Sequence, residues 1–156
     1  MPKEIEKKFL LKNDSWKKYI NFTTTIKQSY MYIKKGVVRV RIINNETAFL
    51  TLKSNNSGIV RNEYEYEIPI SHAQEMIDNL CDSKILYKKR HHITYTENEW
   101  VIDEFLDENF PLTTAEIELN SIEQKFKRPE WLGKDISSDV RYFNSNLIIH
   151  PYSEWS

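Results

Sequence analysis

Glycine is scarce in this sequence. Gly36, Gly58 and Gly133 are the only three in 156 residues, about 2% against the usual ~7%. That shortage excludes the glycine-rich backbone cradles with which P-loops and dinucleotide fingerprints hold phosphate. A phosphate ligand would have to be gripped by side chains. Cysteine is scarcer still: Cys81 alone cannot form an internal disulfide, and no CxxC or HExxH pattern suggests a zinc site. A reducing compartment is therefore expected. No apolar run approaches the roughly 20 residues that cross a bilayer, and the amino terminus lacks a signal-peptide hydrophobic core with a cleavage site. The expectation is a cytoplasmic protein without a membrane partner. Net charge is also missing, since 22 Lys+Arg against 23 Asp+Glu leave -1 although 29% of the residues are charged. Such a balance argues against a polybasic nucleic-acid binder. Repeats, low-complexity stretches and linkers are absent, and residues 1–156 are expected to form one domain.

What is present is alternation. Apolar residues recur mostly with period two, the signature of strands, over 3–11, 28–33, 37–43, 47–53, 60–68, 86–95, 99–105 and 113–120. Turn signals fall at Asn44-Asn45, Asn55-Asn56-Ser57-Gly58 and Glu97-Asn98. Capping boxes at Ser71-His-Ala-Gln74 and Ser121-Ile-Glu-Gln124 predict a helix over 72–81 and a short one that stops before Pro129. Further helices are expected over 14–20 and 139–146. Eight mostly antiparallel strands in so short a chain close into a barrel or fold into a sandwich, because an open sheet leaves edges exposed. A mainly β (α+β) protein follows, and the charges favour a barrel with peripheral helices.

The charges sit at every second position. Glu4, Glu6 and Lys8 share one face of the first strand, Arg39 and Arg41 one face of the third, and Thr51 and Lys53 one face of the fourth. Arg61, Glu63, Glu65 and Glu67 line up on the fifth, Lys88 and Arg90 on the sixth, Asp103 on the seventh, Glu116 and Glu118 on the eighth. Wet outer faces of half-buried strands would account for any one of these. As a set they differ from ordinary solvent faces, because several strands carry same-sign pairs, and paired carboxylates want a cation nearby. If the faces point inward, Lys8, Arg39, Arg41, Lys53, Lys88 and Arg90 give six positive charges against seven from Glu4, Glu6, Glu63, Glu65, Asp103, Glu116 and Glu118. Ion pairing alone could satisfy nearly equal totals. Alternatively, carboxylates at Glu4, Glu6, Glu116 and Glu118 would hold hard divalent cations, while Arg and Lys hold an oxygen-rich anion. A condensed phosphate with two divalent cations fits that mixture.

Glu4-Ile-Glu6-Lys-Lys8 resembles the Glu-x-Glu-x-Lys signature of the CYTH superfamily, the triphosphate tunnel metalloenzymes. Further matches follow in family order: Gln28-Ser-Tyr30, Arg39-Val-Arg41, Leu50-Thr-Leu-Lys53, Arg61-Asn-Glu63-Tyr-Glu65, Lys88-Lys-Arg90, Ile102-Asp103-Glu-Phe105, Ala115-Glu116-Ile-Glu118, Trp131-Leu-Gly133 and Asp139-Val-Arg141-Tyr-Phe-Asn144. They cover essentially the whole chain, which is similar to the short bacterial type. The resemblance implies an eight-stranded antiparallel barrel forming a charged tunnel that binds triphosphates with Mg2+ or Mn2+, two ions to a site. It implies Glu4, Glu6, Glu116 and Glu118 as metal ligands. Lys8, Arg39, Arg41, Lys53, Lys88 and Arg90 become phosphate clamps, joined by Arg61 and Arg141. Glu63, Glu65 and Asp103 are the supporting acids. A Lys-Tyr pair assists catalysis in similar members, and Lys8 and Tyr30 occupy those positions. Tyr30 could equally be a packed strand aromatic.

The implied reaction is hydrolysis of a triphosphate, most simply inorganic tripolyphosphate to pyrophosphate and phosphate, with Lys88 neutralising the leaving group. A nucleoside or thiamine triphosphatase, a class IV type adenylate cyclase and a non-catalytic polyphosphate or nucleotide binder stay open, as does the oligomeric state, a homodimer being one option. Trp16, Trp100, Trp131 and Trp155 could stack on a base but read more simply as structural. His91 and His92 are adjacent on one strand, point to opposite faces and cannot jointly hold one metal.

Overall fold

The computed structural model describes residues 3–55, 59–82 and 84–155. In chain order it contains β1 (Lys3–Leu11), a 3-10 turn (Ser15–Tyr19), β2 (Ile20–Ile33), β3 (Gly36–Ile43), β4 (Thr47–Ser54) and β5 (Val60–Ile68). Then come α1 (Ile70–Asn79), β6 (Leu86–Tyr95), β7 (Asn98–Phe105), β8 (Thr113–Glu118), β9 (Leu132–Asp135) and α2 (Asn144–Ile149). The strands are hydrogen-bonded in the order β5-β4-β3-β2-β6-β7-β8-β1, and β1 returns to β5. Eight antiparallel strands thus close a barrel. The seam is short, joining Lys3 to Asn62, Glu4 to Arg61 and Ile5 to Val60. Beyond it β9 takes over the same edge of β1, opposite Phe9 and Leu11. No helix among the described residues is long and apolar enough to cross a membrane.

The barrel is inverted, with its main apolar packing outside. Phe9, Ile93, Trp100, Ile102, Ala115 and Ile117 face outward on their strands, where Trp16, Trp131 and Leu132 cover them. On the far side, Ala73 and Ile77 of α1 seal Val40, Ile42 and Ala48 of β3 and β4. Inside, one end is apolar. There Tyr30, Leu86 and Phe105 pack against Tyr142, Leu147 and Ile148 of the carboxy-terminal segment, which fills that end of the barrel.

All eight expected strands are present. β2 begins at Ile20 rather than 28, because cross-strand bonding to β6 extends it through Thr23, Thr24 and Thr25, a polar run with no alternation to read. β9 is also additional. Four residues carry too little periodicity to predict, yet Gly133 in it lies so close to β1 that a Cβ would stand 2.7 Å from the Leu10 carbonyl oxygen. The Asn44-Asn45 turn forms with φ of 53° and 55°. Asn55 donates its backbone N–H to Lys35, while the rest of the expected Asn55–Gly58 turn lies outside the described residues.

The helices differ more from expectation. α1 starts at Ile70 because the Pro69 carbonyl accepts its first bond, from Ala73, at 3.1 Å, and Ser71 falls inside the helix instead of capping it. The segment after Ser121 makes only a turn. Gln124 Oε1 accepts from the Asn120 N–H at 2.6 Å, but Phe126 is drawn onto Phe9 and Trp100 in the outer core and the chain runs irregularly to Pro129. The helix expected over 14–20 is a 3-10 turn, Ser15–Tyr19, that ends where β2 begins. The expected 139–146 helix is divided: Val140–Tyr142 is a 3-10 turn, Phe143 is extended, and α2 runs on to Ile149.

Candidate active site

Strand alternation and antiparallel register bring the charged faces together inside the barrel. Glu6 pairs with Glu118 and Lys8 with Glu116 across β1 and β8, Arg39 with Thr51 across β3 and β4, Thr51 with Glu65 and Lys53 with Glu63 across β4 and β5, and Arg90 with Asp103 across β6 and β7. These side chains enclose a cavity of about 230 Å³. Glu4, Glu6, Lys8, Arg39, Arg41, Lys53, Glu63, Glu65, Lys88, Arg90, Glu116 and Glu118 all line it. Their signs are segregated around the ring. β3, β4 and β6 supply a basic arc and β5, β1 and β8 an acidic one, with Lys8 standing among the acids and Lys53 at the border, paired to Glu4 and Glu63.

On the basic arc the heads are oriented by neutral and acidic neighbours. Arg41 Nε donates to Gln28 Oε1 at 2.8 Å, and Arg39 Nη2 donates to Thr51 Oγ1 at 3.2 Å and lies 3.4 Å from Glu65. Asp103 is fully buried and stands behind the cavity wall. It takes Arg90 through two bonds of 2.8 and 2.9 Å and Lys88 through one of 2.8 Å. Burial alone would raise its pKa, but the Arg90 and Lys88 charges hold it well below the carboxylate range. For Arg90 the attraction of Asp103 likewise outweighs burial and keeps it charged. Lys88 and Arg41 go the other way: burial, with Arg90 and Arg41 near Lys88 and Arg39 and Arg90 near Arg41, lowers them, Arg41 to about 9. Four cations, Arg39, Arg41, Lys88 and Arg90, converge here on too little negative charge.

The acidic arc shows the mirror image. Lys53 sits 3.3 Å from Glu4 and 3.2 Å from Glu63, and Lys8 is 3.9 Å from Glu116. Among the described residues Glu6 and Glu118 have no Lys, Arg or His ion-pair partner within 4.0 Å. Burial and the charges of Glu116 and Glu4 push Glu6 up to about 8, and burial and Glu4 raise Glu118. No three His, Cys, Asp or Glu side chains among the described residues are already drawn into a metal-binding group. The donors are nevertheless hard oxygens on one wall whose mutual repulsion a divalent cation would relieve, which is the chemistry Mg2+ and Mn2+ select.

Four expected residues lie elsewhere. Tyr30 and Arg61 line a smaller adjoining cavity of about 80 Å³, together with Glu4, Glu6 and Lys8. Tyr30 Oη accepts from Gln28 Nε2 at 2.6 Å, and Arg61 stacks on Phe143. Lys8 Nζ donates to the Tyr142 carbonyl at 3.2 Å. Asp103 stands in the wall as described. Arg141 does not line the charged cavity: its guanidinium is more than half exposed, bonded to Asp139 at 2.7 and 3.0 Å and laid over Trp155. The Asp139 side chain caps this turn by accepting from the Arg141 N–H, and that cap turns the residue outward.

Three residues of the site carried no expected role: Asn144 lines the cavity, and Gln28 and Thr51 are buried behind it, accepting from Arg41 and Arg39. Gln28 and Thr51 lie at the period-two spacing of their inner rows, a signal that could have found them. Asn144 could not be found that way, because it follows an irregular segment. Its Oδ1 accepts from Lys88 Nζ at 2.7 Å and Gln28 Nε2 at 3.3 Å, which ties the carboxy-terminal segment to the basic arc.

A protein of Acetivibrio thermocellus named inorganic triphosphatase is 41% identical over 156 residues, covering 99% of this chain and 99% of its own length. One of the same name from Nitrosomonas europaea is 28% identical over 150 residues, 94% of this chain and 97% of its own. The crystal structure of the inorganic triphosphatase NE1496 superposes with a TM-score of 0.66 at 25% identity, covering 96% of each chain. The CYTH domain model matches residues 2–152, and the chain therefore belongs to the CYTH family.

Proposed function

We propose that this protein is a divalent-metal-dependent triphosphatase that hydrolyses inorganic tripolyphosphate to pyrophosphate and phosphate. Segregation of charge around one closed-ended cavity carries this reading, and the names of the two relatives support it. In the basic arc, burial and neighbouring cations lower Arg41 and Lys88, and in the facing acidic arc, burial and neighbouring carboxylates raise Glu6 and Glu118. A metal-bound triphosphate answers both. Glu4, Glu6, Glu116 and Glu118 would hold Mg2+ or Mn2+, two ions in our reading, and the metal would supply neutralisation of phosphate oxygens and a bound water of lowered pKa.

The chain's own residues do the rest. Arg39, Arg41 and Arg90 present guanidinium forks that suit phosphate oxygens in bidentate fashion. Thr51, Gln28 and Asp103 hold them in place, so little reorganisation is needed when charge develops. Hydrolysis adds water at a terminal phosphorus and breaks its bond to the bridging oxygen. The charge left on pyrophosphate is met by Lys88, fixed between Asp103 and Asn144. Lys8 and Tyr30 assist from the smaller cavity. We also read residues 1–156 as one cytoplasmic domain acting on a small molecule.

Incubation with tripolyphosphate, ATP and thiamine triphosphate, each with Mg2+ and with Mn2+, tests this. Phosphate and pyrophosphate released from tripolyphosphate support it, cyclic AMP from ATP selects a cyclase, and metal-dependent binding without products selects a binder.

A further inference from the structure

Gln28 stands on the inner row of β2, opposite Arg41 on β3 and Leu86 on β6. It is completely buried, so the polar atoms of its amide need partners inside the protein. Chemistry sets the direction of that amide. A guanidinium only donates, so the atom that accepts from Arg41 Nε at 2.8 Å is the Gln28 oxygen. The amide nitrogen then points the other way, and it donates to Tyr30 Oη at 2.6 Å and to Asn144 Oδ1 at 3.3 Å. Lys88 Nζ donates to the same Asn144 oxygen at 2.7 Å from the far side.

One neutral side chain thus joins groups on β2, β3 and the carboxy-terminal segment. It is not there to fill space, since Ile26, two residues away on the same row, is buried and apolar. Nor does it neutralise Arg41. Burial and the Arg39 and Arg90 charges lower that guanidinium to about 9, and an uncharged oxygen orients the fork while leaving its charge for an incoming anion, whereas Arg90 is paired to Asp103. We propose that Gln28 is a positioning residue that couples the phosphate grip to the leaving-group side of the site: with a phosphate on Arg41, its amide holds Tyr30 and, through Asn144, Lys88 in register with that phosphate. This rests on the cavity holding a triphosphate, and it gives a residue behind the cavity wall a part in both binding and turnover.

Double-mutant cycles on the intact protein with Mg2+ test it, read by calorimetric titration with inorganic imidotriphosphate and by kcat for tripolyphosphate. Gln28→Met, close in size but without the amide, should weaken the imidotriphosphate and lower kcat, each about tenfold, the scale of a lost hydrogen bond to a charged group. Combined with Arg41→Ala in binding, or with Tyr30→Phe or Asn144→Ala in turnover, its loss should fall short of the product of the two separate losses by about threefold or more. A packing role alone gives losses that multiply. Gln28→Asn keeps a buried amide but is one methylene short of spanning Arg41 and Tyr30. It should behave like Gln28→Met, and it carries the test if the methionine variant does not fold. A wild type that binds the analogue but releases no phosphate ends the hydrolysis reading, while the Arg41 cycle still decides Gln28. The coupling is overturned if both Gln28 variants match the wild type, if losses multiply in full in the Arg41 cycle or in both turnover cycles, or if the wild type does not bind the analogue.

Discussion

Lys88 and Asn144 meet across the filled end of the barrel, with Nζ donating to Oδ1 at 2.7 Å. The lysine is 1% exposed, and its other anchor is Asp103. Replacing Asn144 by Ala removes one of two acceptors from a buried cation and frees it to swing toward Asp103. Hydrogen bonds to charged groups contribute about 1.5–3 kcal/mol, so kcat for tripolyphosphate should fall about tenfold or more. KM should change less, because Arg39, Arg41 and Arg90 remain. Steady-state phosphate release decides it, and an unchanged kcat would remove Asn144 from the site.

Asp103 is the anion on which two basic residues depend. Asp103→Ala leaves Lys88 and Arg90 without their shared partner inside the wall. Breaking a buried pair by deleting one member costs about 3–5 kcal/mol, and urea unfolding should show a loss of that size. Glu65→Ala, at a carboxylate that is 45% exposed, should cost far less.

Much of this site was legible in the sequence because strand geometry is regular. Once β1 is a strand, Glu4, Glu6 and Lys8 must share a face, and the same holds for Arg39 with Arg41 and Glu116 with Glu118. Direction was harder, since alternation is identical for a wet outer face and a charged lumen. The same-sign pairs tipped that choice. The carboxy-terminal segment was not legible in this way. Arg141 and Asn144 stand three residues apart in one motif, yet one faces solvent and the other the cavity. A cap at Asp139 and an extended Phe143 set their directions, and neither has a period. The start of β2 at Ile20 was hidden for a related reason, because that extension has no alternating pattern of its own.

Stability should depend on pH through Glu6. Its folded-state pKa is pushed up to about 8 by burial and by Glu116 and Glu4, from an ordinary 4.5. The folded state therefore holds the proton more tightly than the unfolded chain. The stability this contributes is fully present below pH 4.5 and is lost as pH rises through about 8. In metal-free protein the Tm difference between wild type and Glu6→Gln should widen in favour of the variant across that window. Added Mg2+ should raise the wild-type Tm and leave the variant's nearly unchanged, because the variant has lost an anionic ligand. Scanning calorimetry at several pH values follows both effects. A constant difference between the two proteins would show that Glu6 is not strained by its neighbours.

Arg141 separates motif membership from position. Its expected place was the phosphate clamp, but the guanidinium is committed to Asp139 and Trp155 in solvent. Arg141→Ala should leave KM for tripolyphosphate within about twofold and destabilise the chain by about 1 kcal/mol or less, the usual scale of an exposed ion pair. Arg41→Ala removes a fork bound to Gln28 inside the cavity and should raise KM at least tenfold. Measured side by side on tripolyphosphate, the two variants assign the clamp by position in the barrel. Equal losses would mean that Arg141 swings inward when substrate binds, and the carboxy-terminal turn would then have to open around Asp139 to let it.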